Sequence, residues 1–369
     1  MSQKDPFAQM GWNHSNMSVN GLTCTLHMPQ AVKRQFNADG SERTIGTLPP
    51  GNARVAFAVD EYKAAPDAWM HGSGKASSYF VPILAEHGMW LDFNANAQHT
   101  HDVAVVISVQ GVNPLTGRKI DPIRLEQHKE NCPVHNTPFK QDLFCETCEF
   151  KWHPQNYLAT NATPHGMFWI DGFRTEDGTI RQWFFTEEEA KGVASQLIGD
   201  QRVFAIGIAF YLSKKPKPVK TYTGGAGGST YGTGGQVSFT NYCVNEGGME
   251  SLGTVMDCNT GPTDYSGKIA QSQDLAAKPV KSRRTRGGPR GQSQGSEEIE
   301  RSLKKLEIGA GAKIQQEIYR DSENLDYWQD EPAGMIYINY CDVDSAQRII
   351  AAGKREEAPE GFLSGLKLK

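Results

Sequence analysis

Two pairs of potential metal ligands lie close together near the middle of the chain. The first is Cys132-Pro-Val-His135 and the second is Cys145-Glu-Thr-Cys148, with nine residues between the pairs. When two residues separate two ligands, a tight backbone turn brings both side chains to one point, and two such turns supply the four ligands of tetrahedral Zn²⁺. The spacing therefore predicts a Zn²⁺ site formed by Cys132, His135, Cys145 and Cys148. Such a site constrains how residues 128–155 fold.

The predicted ligand set is closed, because three Cys and one His leave no coordination position for water. This favours a structural metal over a catalytic one. The segment Cys132–Trp152 resembles zinc-ribbon and treble-clef modules, although His135 replaces one Cys of the common four-Cys ribbon. Three alternatives stay open: His153 as the fourth ligand, iron as the metal, or free thiols with an incidental His.

Residue types are distributed unevenly along the 369 residues. All ten His lie before position 166, and 18 of the 38 Gly fall between Lys214 and Gly311. Only 38% of the residues are hydrophobic, below the value of ~45–50% typical of globular chains. We therefore predict three regions: a β-rich main domain at 1–213 with a zinc knuckle inserted at 128–155, a flexible Gly-rich and basic region at 214–295, and a small C-terminal α/β region at 296–369.

Short apolar runs separated by turn signals predict many strands in the front region. The clearest run is Asp102–Gln110. As a strand it would carry apolar residues on both of its faces, which is typical of a buried central strand. The other predicted strands are Met17–Met28, Arg54–Asp60, Ser78–Leu84 and Met89–Phe93. This pattern indicates a β-rich α+β fold with a sandwich- or barrel-like front domain.

Helices are predicted at few positions. Thr186 can cap a helix that carries Glu189 at the capping-box position and ends at Gly199. Before it, Met167–Phe173 and Thr179–Phe185 form a predicted hairpin, and after it Val203–Leu212 reads as a strand. The C-terminal region adds a helix from Glu297 to about Glu307, a strand at Met335–Cys341 and a short helix at Ser345–Ala352 stopped by Gly353.

Other patterns carry weaker hypotheses about chemistry. His99 and His101 alternate as on one face of a strand and could form part of a metallo-hydrolase site, but the further His of that pattern is missing. Asp171, Glu176 and Asp177 share one hairpin, where exposed turn carboxylates are favoured over acid/base catalysis. Arg283–Arg290 contains Arg-Gly-Gly and could contact nucleic acid, although a solvated linker is favoured.

Composition also limits the location of the protein. No run approaches 18 apolar residues, and the polar N-terminus lacks the apolar core of a secretory signal, so no membrane association is expected. Seven Cys, an odd number, fit a reducing compartment and predict a cytoplasmic protein.

Together these features predict a non-enzymatic, zinc-stabilised structural or interaction protein that assembles with itself or with protein partners. Two alternatives remain: a ligand-binding module for glycan or nucleic acid, and a metallo-hydrolase that uses His99 and His101. The front region is rich in aromatic residues, and exposed Trp side chains among them would favour the glycan-binding alternative.

Overall fold

The computed structural model describes residues 6–9, 17–46, 52–71, 75–94, 100–120, 122–163, 168–175, 178–217 and 299–355. Residues 1–219 and 292–369 belong to one compact unit, and a second unit, 220–291, lies outside the described residues. The predicted Gly-rich region 214–295 therefore also lies outside them, apart from 214–217.

Strands dominate the described residues. They are β1 (Ala8–Gln9), β2 (Met17–Val19), β3 (Leu22–Met28), β4 (Asn52–Arg54), β5 (Phe57–Ala58), β6 (Ala76–Ile83), β7 (Gly88–Asn94), β8 (Val103–Val109), β9 (Phe144–Cys145), β10 (Phe150–Lys151), β11 (Tyr157–Ala159), β12 (Phe168–Ile170), β13 (Gly172–Arg174), β14 (Ile180–Thr186), β15 (Ala205–Leu212), β16 (Glu307–Ile314) and β17 (Gly334–Asp342). The helices are α1 (Val193–Ile198) and α2 (Val343–Ala351), with one further helical turn at 299–302. Every helix in the described ranges is too short and too polar to cross a membrane.

The strands form two large sheets and one small one. The first sheet runs β1-β4-β3-β7-β14-β13, with β2 on β3, β12 on β7 and β16 on β14. The second runs β11-β8-β15-β17-β6-β5, and β9 pairs with β10 alone. All named strand pairs are antiparallel except β17 with β6. Over the described ranges the sheets do not close into a barrel, and the strand-rich α+β class predicted from the sequence is confirmed.

The two large sheets bury one shared core. Phe93 on β7 contacts Phe210 on β15 edge to face, with ring centroids 6.2 Å apart. β8 is buried along its whole length, as its pattern predicts. Val105 and Ile107 lie in the shared core, whereas Ala104 and Val106 pack on the other face against a second cluster that includes Trp328.

The C-terminal strands lie inside these sheets. β16 pairs with β14 in the first sheet, and β17 lies between β15 and β6 in the second. α2 follows β17 directly, and the Asp342 carboxylate caps it by accepting a hydrogen bond from Ser345 N–H at 2.9 Å. The strand predicted at Met335–Cys341 is thus confirmed. The boundaries of the three regions stay a prediction.

Three local predictions are wrong. The helix predicted from Glu297 to about Glu307 is helical only at 299–302 in the described residues, because Glu307 already pairs with Thr186 as the start of β16. Met17–Met28 is a hairpin rather than one strand, because Asn20 and Gly21 both adopt positive φ (50° and 80°) and turn the chain. Thr186 does not cap α1. A 3-10 turn forms at Glu189–Lys191, but the chain is extended at Gly192, which bridges to Gly309, so α1 starts only at Val193. Its predicted end at Gly199 is confirmed.

Candidate metal centre

The first ligand pair lies on a tight turn. Asn136 N–H donates to Cys132 C=O at 2.8 Å, and Cys132 N–H donates to Thr137 C=O at 2.8 Å. Asn136 has a φ of 53°, which reverses the chain directly after the ligand His135. The turn therefore brings Cys132 and His135 to the same side.

The second pair is held by the small hairpin β9–β10. Cys145 stands opposite Phe150, and Cys148 lies in the connecting turn. Glu149 has a φ of 50°, so the residue after the last ligand reverses the chain here as well. Trp152 N–H closes this substructure by donating to Leu143 C=O at 3.0 Å.

These turns bring all four predicted ligands together. Their ligand atoms lie within 4.8 Å of one another. Cys132 Sγ is 3.5 Å from Cys148 Sγ and 3.7 Å from His135 Nδ1, and Cys145 Sγ is 3.8 Å from the same nitrogen. A tetrahedral ion with Zn–S near ~2.3 Å and Zn–N near ~2.05 Å separates its ligands by roughly 3.6–3.8 Å. The cluster therefore has the dimensions of a site that could hold a metal ion.

The turns also favour the thiolate form that a metal requires. Burial opposes ionisation of Cys145, but hydrogen bonds from the Cys148 main chain, the neighbouring thiols and Thr137 lower its pKa to about 5. Burial likewise opposes ionisation of Cys132, while the main-chain N–H groups of His135 and Val134 lower its pKa. Because several thiolates would crowd together here, a cation at their centre would stabilise the arrangement.

Trp152 packs against the Cys/His cluster. Its side chain is buried with Cys132 and Cys145, and its indole N–H lacks a conventional hydrogen-bond partner in the part of the chain that the structure describes. That N–H lowers the pKa of Cys148, although burial raises the pKa overall. A metal-bound thiolate at Cys148 would give the buried N–H a charged acceptor, so this orphaned group fits a metal site. The aromatic character of Trp152 was visible in the sequence, but its direction was not.

The other His candidates lie elsewhere. His153 Nδ1 faces Arg174 Nη1 at 3.3 Å, while His135 occupies the fourth position of the cluster. His101 Nδ1 contacts the Thr100 hydroxyl at 3.2 Å, and His99 lies outside the described residues. Across the described ranges, the Cys/His cluster is the one group of three or more His, Cys, Asp or Glu side chains that could hold a metal ion.

Several other sequence candidates also fall outside the described part of the chain. These are Glu176, Asp177 and the basic segment Arg283–Arg290. Of the aromatic residues, Trp90, Trp183 and Trp328 are buried, whereas Trp169 is 46% exposed. Three of these four Trp side chains therefore belong to the buried core.

Asp171 differs from the exposed turn carboxylate that the sequence predicts. It is buried between β12 and β13, and its main-chain N–H donates to Gln316 Oε1 at 3.1 Å. Burial raises the pKa of Asp171 to about 7, against a smaller lowering by a hydrogen bond from Trp169. The sequence could not show this, because Asp171 directly follows β12, which pairs with the distant strand β7.

We expect the fold to lose stability as the pH rises from about 4 to about 7, because of Asp171. The native state holds the Asp171 proton more tightly than the unfolded chain, so its contribution is full below about pH 4 and is lost by about pH 7. Asp171→Asn should remove that slope and stabilise the protein at pH 8 by on the order of 2 kcal/mol. Urea unfolding between pH 4 and 8 measures both effects, with the exposed Asp326→Asn as control. Parallel wild-type and Asp171→Asn curves would contradict the assignment.

Comparison of the chain with protein-family models, with curated proteins and with solved structures finds no match. Function is therefore argued from the geometry of the cluster and its surroundings.

Proposed function

We propose that Cys132, His135, Cys145 and Cys148 bind one structural Zn²⁺. We further propose that the protein is a non-enzymatic interaction protein, and that residues 128–155, which we call the metal module, contact protein partners or further copies of the chain. The observation that carries the proposal is the cluster of four ligand atoms within 4.8 Å of one another, three pairs of which are 3.5–3.8 Å apart. Thiolate and imidazole donors at tetrahedral spacing suit Zn²⁺, and a closed set holds it without a reactive water.

The composition of the module supports a structural role for the metal. Its buried core consists of Cys132, Cys145 and Trp152, with Phe139 and Leu143 packed against them. So few apolar groups bury too little surface to stabilise a substructure alone, and metal binding commonly supplies the missing free energy in small modules.

The surface of the module supports the interaction role. Val134 is 63% exposed on the first ligand turn, and Phe144 and Phe150 on the small hairpin are 36% and 37% exposed. Large apolar side chains held outward by a rigid turn are typical of contact surfaces between proteins.

Mass in solution and metal content, measured on the same sample, test this function. We expect one zinc per chain and a mass above the 40.7 kDa of a single chain. Val134→Ser combined with Phe144→Ser should lower the mass to that of one chain with zinc retained, whereas Phe36→Ser, at a 59% exposed site outside the module, should not. A wild-type mass of 40.7 kDa would refute self-assembly, and absence of stoichiometric metal would refute the zinc site.

A further inference from the structure

Four basic side chains lie near the metal cluster: Arg118 and His128 contact Trp152, and Arg174 contacts the adjacent residue His153. Arg118 comes from the turn after β8, and Arg174 ends β13 in the first sheet. His128 and His153 flank the metal module on its two sides. We call these four residues the basic cluster.

Direct contacts connect its members. The Arg118 guanidinium carbon lies 4.2 Å from the centroid of the Trp152 ring, and the His128 ring meets the same indole edge to face at 4.9 Å. The next residue, His153, contacts Arg174 at 3.3 Å. Main-chain bonds fix the framework, because Arg174 N–H donates to Pro114 C=O in the turn that carries Arg118.

The two arginines of the cluster have no counter-charge among the residues that the structure describes. Within the described ranges, Arg118 and Arg174 have no carboxylate within 4.0 Å, and the buried Nε of Arg174 has no hydrogen-bond partner. Two other arginines that are largely buried are paired: Arg181 lies 2.7 Å from Glu42, and Arg202 lies 2.9 Å from Glu307. A half-buried guanidinium normally keeps such a partner, since desolvating an unpaired charge is costly.

Burial is the main cause that lowers the pKa of both neighbouring imidazoles. Burial lowers the pKa of His153 to about 4, with Arg174, Lys151 and His128 adding to the shift. Burial also lowers the pKa of His128, where Glu126 opposes the shift and Arg118 adds to it. Both rings are therefore neutral near pH 7. His153 accepts from Arg174 through Nδ1, which leaves its Nε2–H as a donor.

We propose that the basic cluster binds a phosphate group. Arginine presents several N–H donors in a planar fork that matches phosphate oxygens, and two arginines would neutralise the charge of a dianion. Neutral His128 and His153 rings add N–H donors at the same place. Of the acidic residues in 128–155, Asp142 and Glu146 lie 3.7 Å from Lys151 and Lys140, while Glu130 and Glu149 are exposed. The phosphate could belong to a free phosphorylated molecule or to the backbone of a nucleic acid.

Titration of the full chain at constant ionic strength tests the proposal. The probes are inorganic phosphate and a single-stranded oligodeoxynucleotide of about 12 residues. Calorimetry measures their binding, and the amide chemical shifts of residues 118–174 locate it. Arg174→Gln and Arg118→Gln should each raise the Kd of the bound probe by about tenfold or more, as expected for loss of a charge-assisted contact. Arg43→Gln, at another exposed arginine, should leave it unchanged. Because Arg118 is exposed, its variant tests the site even if Arg174→Gln unfolds.

The two probes distinguish the sources of phosphate. Binding of inorganic phosphate that weakens in both cluster variants indicates a free phosphorylated ligand. Binding of the oligonucleotide alone, with the same dependence on Arg118 and Arg174, indicates a nucleic-acid backbone. Absence of binding by both probes, or binding that Arg43→Gln weakens as much as the cluster variants, would overturn the proposal. Zinc content measured on the same samples keeps this result separate from the metal assignment.

Discussion

Replacing Cys145 by Ser is expected to abolish stoichiometric zinc binding and to lower the free energy of unfolding by several kcal/mol. Cys145 Sγ lies 3.8 Å from His135 Nδ1 at the centre of the cluster, and a hydroxyl is a poor substitute for a thiolate ligand. A ligand present at a thousand times its Kd stabilises a fold by about 4 kcal/mol, and structural zinc commonly binds more tightly than that requires. Loss of the ion should therefore unfold residues 128–155 first.

Metal analysis, thermal unfolding and limited proteolysis measure this result. Cys145→Ser, or wild type treated with a strong chelator, should be cut within 128–155. Cys341→Ala is the matched control, because Cys341 is also buried but lies on β17 outside the cluster. It should cost stability and keep one zinc per chain. Unchanged melting of metal-free wild type would contradict a structural metal.

Asp321→Ala should destabilise the fold by about 3 kcal/mol or more, because a buried donor left without an acceptor costs about 1–3 kcal/mol. The Asp321 carboxylate is buried and accepts hydrogen bonds from Tyr157 OH at 2.8 Å and Trp328 Nε1 at 3.0 Å. It also accepts from Asn161 Nδ2 at 2.9 Å. Alanine would leave these donors buried without an acceptor, and the loop between β16 and β17 would detach from β11.

Denaturant unfolding of the full chain measures the loss. Asp321→Asn keeps one acceptor oxygen and should lose less than alanine. Asp326→Ala, at an exposed Asp in the same loop, should change the free energy of unfolding by under about 0.5 kcal/mol. Equal effects at 321 and 326 would show that the carboxylate network does not hold the loop.

The parts of the fold that sequence predicted are those that local patterns determine. The apolar residues of β8 alternate on both faces, which indicates a strand buried on both sides whatever its neighbours are. The spacing of Cys132, His135, Cys145 and Cys148 requires two turns, and those turns bring the ligands together without help from distant residues.

The remaining features depend on contacts between distant residues. Nothing near Gly192 in the sequence shows that it bridges to Gly309, more than 100 residues away, although the chain is extended there, directly before α1. For the same reason, the sequence does not predict that Asp171 is buried or that Arg118 contacts Trp152. The Asn20-Gly21 hairpin is different, because Asn-Gly is itself a local turn signal.

The position of β17 has a consequence for synthesis of the protein. β17 separates β15 from β6, and Tyr79 on β6 pairs with Ile338, so the second sheet requires residues from both ends of the chain. A nascent chain that has not yet reached Gly334 presents β15 and β6 as two open strand edges, which are sites where other unfinished chains can pair. The second sheet can therefore be completed only after β17 has been synthesised. Truncation before β17 would yield aggregation rather than a smaller folded protein.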